Sequence, residues 1–327
     1  MKYKDLILLT GAGFTKNFNG FLGKDMWSMI FNDYRIQNCP KIKNLLLENF
    51  DFEAVYSEVV NGKGFDDNEK QIMKTVIEEV YKKLDDAVRG WVFNTENPTA
   101  LNIYGLGDLL NLFNGNGEER GLFFTLNQDL LMERQKNYFA AGSPRFAHDF
   151  YFPNGREFQS SFFVKLPAEN ADLLLKKDIQ SHNGLVYIKL HGSYGWRSAD
   201  GSNQMVIGKN KEVNIEMEPL LKCYFDLFKE VIADGSKKLL IIGYGFRDMH
   251  INKILAEGVE KFGLKIYVIT TASPEDFRAN FERDGHYYAL PIMNGLCGYF
   301  PYTLREIFPP DQSKSVHFDE IKKRLLG

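Results

Sequence analysis

Five short apolar runs, each closing on glycine or polar residues, constrain this chain more than any other feature. Leu6–Leu9 leads into Thr10-Gly11-Ala12-Gly13, and Leu122–Thr125 into Leu126-Asn127-Gln128-Asp129. Val186–Leu190, interrupted by Lys189, ends at His191-Gly192. Leu239–Ile242 meets Gly243-Tyr244-Gly245, and Ile266–Thr270 meets a polar stretch. Runs of four or five apolar residues without alternation read as strands buried on both faces, the pattern of parallel sheets. Buried helix is the competing reading, and the short lengths favour strand. Most runs are followed by a helical pattern, so the expected fold class is α/β: a Rossmann-like, doubly wound parallel sheet.

The first crossover is far longer than one helix requires. Residues 25–117 are helix-rich, and their clearest element is Asp67–Arg89. Ile72, Met73, Val76, Ile77, Val80, Tyr81, Leu84 and Val88 form one stripe there, with Asp66 before it and Gly90 after it. Tyr104–Phe113 reads as another helix. The expected organisation is a sheet domain of residues 1–24 and 118–300, an inserted small helical domain of residues 25–117, and a C-terminal helical cap of residues 301–327. Residues 136–185 are aromatic and punctuated by glycine, which suggests hairpins and loops until a helical pattern at Ala171–Lys177.

Composition excludes several classes. A chain of 327 residues fits about two domains, and 44% apolar residues supply ample core. Forty basic against 43 acidic residues give a net charge of −3, which disfavours a nucleic-acid binder built on a basic face. Cys39, Cys223 and Cys297 lie far apart, against a disulfide framework or a four-cysteine zinc module and in keeping with a reducing cytosol. No apolar stretch approaches the roughly 18 residues that cross a bilayer, and the run before Thr10 is too short for a signal peptide. A soluble, cytoplasmic protein is expected.

Four segments carry candidate chemistry. Thr10-Gly11-Ala12-Gly13-Phe14-Thr15 follows the first strand, where glycines let backbone N–H groups approach a phosphate; such turns also serve packing alone. No G-x-x-x-x-G-K-[ST] occurs, against a P-loop ATPase. Asn127 and Asp129 sit at the carboxyl end of a strand, where open α/β sheets bind ligands, although Asp129 also suits a helix cap. His191 can accept a proton near neutral pH. The remaining histidines, His148, His182, His250, His286 and His317, show no metal-ligand spacing, so no metal is expected. In Gly243-Tyr244-Gly245-Phe246-Arg247-Asp248-Met249-His250, the glycines permit close backbone approach and Asp248 can cap the helix Met249–Phe262.

Taken in order, Gly-Ala-Gly-x-Thr, Thr-x-Asn-x-Asp, His-Gly and Gly-x-Gly resemble the sirtuin family. The closer resemblance is to the sirtuin-like domains of bacterial NAD-consuming antiphage defence proteins, whose late motif commonly reads Gly-Tyr-x-Phe-x-Asp-x-His-Ile-Asn. The resemblance spans about residues 6–271. It implies NAD as substrate, held between the sheet and a small helical domain. Gly11, Ala12, Gly13 and Thr15 would hold the pyrophosphate region, and Gly243 and Tyr244 would flank the adenosine half. Asn127 would contact the nicotinamide ribose and position water, Asp129 would hold the nicotinamide side, and His191 would act as general base or ribose contact. Asp25 and Trp27 would belong to a mobile cofactor loop.

Sirtuin deacetylases carry four zinc-binding cysteines between the His-Gly and Gly-x-Gly motifs; this chain has only Cys223 there. No acyl-lysine clamp follows His191. The expected activity is therefore NAD+ hydrolysis to nicotinamide and ADP-ribose, used in abortive antiphage defence and without zinc. Protein deacylation, ADP-ribosyl transfer and a non-catalytic nucleotide sensor are the alternatives. The resemblance also implies a homo-oligomer and, in some relatives, a HerA-type ATPase partner.

Overall fold

The computed structural model describes residues 2–92, 96, 100–135, 150–151, 164–165, 171–182, 184–198, 201, 203–283, 287–311 and 315–327. Strand β1 (Lys2–Thr10) is followed by seven helices: α1 (Ala12–Lys16), α2 (Gly23–Phe31), α3 (Tyr34–Gln37), α4 (Pro40–Glu48), α5 (Phe52–Asn61), α6 (Asp67–Arg89) and α7 (Ile103–Asn111). Then come β2 (Glu119–Thr125), β3 (Phe150–Tyr151), β4 (Val164–Lys165), α8 (Ala171–Ser181), β5 (Leu185–Lys189), β6 (Gly192–Arg197) and β7 (Asn203–Met205). The chain continues through α9 (Lys211–Met217), α10 (Pro219–Ala233), β8 (Lys238–Ile242), α11 (Met249–Phe262), β9 (Lys265–Ile269), α12 (Pro274–Arg283) and α13 (Ala289–Asn294). It closes with β10 (Leu296–Phe300), α14 (Leu304–Ile307) and α15 (Val316–Leu326).

Seven strands form a parallel sheet in the order β10-β9-β8-β1-β2-β5-β3. Alternate side chains enter two separate apolar clusters, one on each face. Leu6, Leu8, Phe123, Tyr187, Leu240 and Tyr267 point to one. Ile7, Leu9, Leu122, Phe124, Val186, Ile188, Leu239 and Ile266 point to the other. Burial on both faces is why the strands read as unbroken apolar runs. All five expected strands lie in this sheet, and the fold is the Rossmann-like α/β class.

Helices α1–α7 occupy the first crossover, and their apolar stripes share one cluster with Leu6 and Leu8 of the sheet. The stripe of α6 begins at a capping box: Asp66 accepts from the Glu69 N–H at 2.8 Å, and Glu69 accepts from the Asp66 N–H at 2.9 Å. The C-terminal segment contributes two helices, and Phe308, Ile321 and Leu325 join the same cluster. Strand β10 gave no sequence signal because Gly298 breaks its apolar run and it lies on the sheet edge, half-exposed. A second sheet, β4-β6-β7, was also unexpected. Much of the expected hairpin region 136–185 falls outside the described residues. Among the described residues, no helix is long and apolar enough to cross a membrane.

From β1 the chain builds outward to β2 and β5 on one side and to β8, β9 and β10 on the other. The crevice beyond the carboxyl ends of β1 and β8 is therefore a topological switch point, where open α/β sheets take ligands.

Candidate functional site

The glycine turns after β1 and β8 pack directly on each other. The Gly11 N–H donates to the Ile242 carbonyl at 3.0 Å and the Gly13 N–H to the Gly243 carbonyl at 2.9 Å. A Cβ on Gly13 would lie 2.7 Å from the Gly243 Cα; one on Gly243, whose φ is +65°, would lie 2.3 Å from the Phe14 nitrogen. The Gly11 and Gly13 N–H groups do not face an anion, because both already bond to the neighbouring turn, and it is backbone that excludes a side chain there. Ala12 is exposed at the rim, while Gly13 and Gly243 are half-buried.

Next to this turn, the end of β2 is tied to β1. Thr10 Oγ1 donates to Thr125 Oγ1 at 2.9 Å, and Thr125 Oγ1 accepts the Asn127 N–H at 3.1 Å. Asn127 Nδ2 donates to the Gly11 carbonyl at 2.9 Å and to Thr15 Oγ1 at 2.8 Å. Both amide hydrogens are thereby engaged, and among the described residues Asn127 Oδ1 accepts no hydrogen bond. The side chain is therefore held as an acceptor. Thr15 Oγ1 in turn donates to Asp129 Oδ2 at 2.8 Å, and Asp129 Oδ1 accepts the Leu131 N–H at 2.9 Å. Asp129 is thus both helix cap and partner of Thr15. Both Thr15 and Asp129 are buried, and the Thr15 hydroxyl acts here to align Asn127 and Asp129.

Two further residues brace this corner. Lys189, the charge that interrupts β5, is buried at 1% exposure; its Nζ donates to the Asp129 carbonyl and pairs with Glu133 at 3.0 Å. Burial raises the Glu133 carboxyl, with Lys189 opposing. Gln128 Nε2 donates to the Val206 carbonyl at 2.7 Å and to the His191 carbonyl at 3.2 Å, while its Oε1 accepts from Tyr81 of α6. An ionised side chain inside a buried strand was the visible signal for Lys189; Gln128 gave none.

His191, at the end of β5, is 2% exposed. Its Nε2 lies 2.8 Å from the Nε2 of His250, the second residue of α11. Asp248 occupies the N-cap position of α11, but its side chain caps nothing; Oδ1 pairs instead with Lys211 Nζ at 2.7 Å. The expected capping is overridden because a buried carboxylate gains more from an ammonium than from a backbone N–H. Lys211 also reaches Glu53 of α5 at 2.7 Å, so one ammonium joins the helices of the first crossover to the site. Burial lowers His191 well below the ordinary histidine value, partly opposed by Asp248. His250 is lowered for the same reason. Burial works to raise Asp248, but Lys211 and the two histidines hold it well below the usual carboxylate range.

His191, Asp248 and His250 bring potential ligand atoms within 4.8 Å of one another, a proximity that sequence spacing had hidden. The Lys211 ammonium already sits on Asp248 and repels a cation, and no metal is assigned to the cluster. His148 and His286 lie outside the described residues.

The late motif explains its own spacing. Phe246 adopts φ +53°, and Asn252 Nδ2 donates to its carbonyl at 2.7 Å. Tyr244 Oη accepts the Asp248 N–H at 3.1 Å and lies 3.0 Å from Asn252 Oδ1. Tyr244 therefore clamps the turn through its hydroxyl, and its buried ring packs on Phe246. Asp25 accepts the Leu22 N–H at 2.9 Å and pairs with Lys16 at 2.9 Å, while Trp27 stacks on Phe31. A separate cavity of about 460 Å³ lies between α8 and α10, lined by Leu175, Ile179, Pro219, Cys223, Leu227 and Glu230 among others; no expected site residue lines it.

The Rossmann-like sheet gathers an asparagine, an aspartate and a histidine at adjacent strand ends, beside the crevice where open α/β sheets take ligands. The SIR2-like domain family matches residues 121–289, over half of the chain, and the protein belongs to that family. SIR2-like domains use NAD as substrate, which places the chain among NAD-dependent enzymes in general. The match takes in Asn127, Asp129, His191 and the Gly243–His250 turn; the Gly11–Thr15 segment precedes it. No curated protein matches the chain.

Proposed function

We propose that this protein hydrolyses NAD+ at the nicotinamide–ribose bond, giving nicotinamide and ADP-ribose. The observation that supports this reading best is the fixed Asn127 amide, whose free Oδ1 suits it to accept a hydrogen bond from a water or ribose hydroxyl. Holding a nucleophile in attacking orientation removes much of the entropic part of the barrier. Breaking the C–N bond develops positive charge on the ribose, and the acceptor oxygen of Asn127 favours that charge. His191 takes the proton that the attacking water loses. Asp129, fixed by Thr15, holds the nicotinamide side, and Gly11, Ala12, Gly13, Gly243 and Tyr244 form the wall along the remainder of the dinucleotide.

We further propose the domain division 1–24 with 118–300, 25–117 and 301–327, a cytoplasmic setting, a homo-oligomer and a role in antiphage abortive defence, with a HerA-type ATPase as partner. Incubation with NAD+ tests the activity. Nicotinamide release without any acyl-peptide is the expected result. Release only when acyl-peptide is present would overturn hydrolysis in favour of deacylation, and tight binding without release would favour a sensor. Loss of NAD+ on phage infection of cells expressing the protein, abolished by Asn127→Ala, tests the defence role.

A further inference from the structure

The His191–His250 contact has a chemistry of its own. Two imidazole nitrogens at 2.8 Å cannot both carry a hydrogen; one donates and the other accepts, so a single proton lies between the rings. The rings are buried, with centroids 5.0 Å apart, and Phe225 packs tilted against His250 at 5.5 Å between centroids. We propose that the base of this site is the His191–His250 pair, with His250 a positioning residue that shares the proton taken up at His191. The inference rests on the hydrolytic reading for its catalytic consequence.

Charges around the pair favour one added proton and oppose a second. Asp248 and Glu53 are joined by Lys211, which leaves that trio with one net negative charge. Protonating the pair once brings the cluster to neutrality, and protonating it twice leaves an uncompensated buried cation. Glu212 and Lys229, the other charged groups that act on His250, oppose each other. Lys211 and the charge of the second ring oppose any further proton on His191. During hydrolysis, a water O–H bond breaks and its proton goes to the pair. The water oxygen bonds to the ribose C1′ while the C1′–N bond electrons leave with neutral nicotinamide. The pair then returns the proton to solvent, which balances the one proton released per NAD+ cleaved.

His250→Gln keeps a hydrogen-bonding side chain but cannot hold the proton. Its kcat for NAD+ should fall by about tenfold or more, with KM changed little, on the scale of proton-transfer contributions. Its acid limb of kcat against pH should move to lower pH, because His191 loses the partner that stabilises its charged form. A limb that stays in place, or moves to higher pH as relief of like-charge repulsion would require, overturns the proposal. The same question is answered without turnover by an NMR titration of the full chain labelled with nitrogen-15 in histidine. In the wild-type protein the two Nε2 signals should titrate together, as coupled sites do, and independent titration overturns the pair even if His250→Gln does not fold. Wild-type protein that shows the coupled titration but releases no nicotinamide would refute the hydrolytic reading and leave the shared proton standing.

Discussion

Replacing Lys211 with methionine should reveal how strongly the Glu53–Lys211–Asp248 bridge holds the helices of the first crossover to the site. Both carboxylates contact the same nitrogen at 2.7 Å, so twice that distance bounds their separation at about 5.4 Å. Without the ammonium, two like charges at that range repel by about 3 kcal/mol at an effective dielectric of about 20. Removing one partner of a buried ion pair costs about 3–5 kcal/mol, and the 28% exposure of the Glu53 side chain argues for the lower end. The expected loss is thus near 3 kcal/mol, or about 6 °C in Tm at roughly 2 °C per kcal/mol for a chain of this size.

The sign of the pH dependence follows from the same geometry. In Lys211→Met one carboxylate takes up a proton in the folded state above its unfolded pKa, so the deficit is greatest at pH 8 and shrinks as pH falls toward 5.5. Wild-type Asp248, held low, contributes stability that is full above about pH 3.8 and is lost as pH falls further. Melting curves for Lys211→Met, Glu53→Gln and the double variant at both pH values form the assay. Glu53→Gln should lose less than Lys211→Met, because the Lys211–Asp248 pair survives. The double variant should recover about half of the Lys211→Met loss at pH 8 by removing the repulsion. A double variant no more stable than Lys211→Met, with a deficit independent of pH, would refute the reasoning.

Asn127→Ala and His191→Ala should each lower kcat for NAD+ by about 10²-fold or more, measured as nicotinamide release at a temperature where both variants are shown to be folded. Gly243→Ala should cost more than about 2 kcal/mol by left-handed strain plus the clash with Phe14, while Gly263→Ala, also at positive φ but with open space around its Cβ, should cost only the strain; equal losses in urea titrations would remove the packing argument. Because burial holds His191 and His250 below the ordinary histidine value, their contribution is full above about pH 6.5 and declines as pH falls through their folded pKa values, by no more than about 2.7 kcal/mol per pH unit for two groups; a Tm flat from pH 7.5 to 5 would contradict this. Elemental analysis should find no stoichiometric zinc, since three cysteines cannot build a four-cysteine site.

What the sequence disclosed, and what it withheld, divides along physical lines. A strand buried on both faces must be apolar throughout, so β1, β2, β5, β8 and β9 announced themselves, whereas the edge strand β10 tolerates Gly298 and did not. Residues at strand ends were legible because parallel order brings those ends together, which is how Thr15, Asn127 and Asp129 come to share hydrogen bonds across more than a hundred positions of chain. Glu53 and Lys211 were illegible: each is an ordinary charged residue in a helix, and only the folding of α5 against the start of α9 turns them into one bridge. His250 was visible as part of a motif, but its partner His191 lies 59 residues away, and no linear spacing rule pairs them. The glycines were recognised for close backbone approach, but nothing in the sequence said that the Gly11 and Gly13 N–H groups would bond to the end of β8 and its turn. A tight turn accepts a phosphate or another turn with the same sequence, and here the Gly13 N–H meets the Gly243 carbonyl. The glycine turns therefore depend on each other's backbone, while the cluster of His191, His250, Asp248 and Lys211 depends on side chains that separate elements bring to one point.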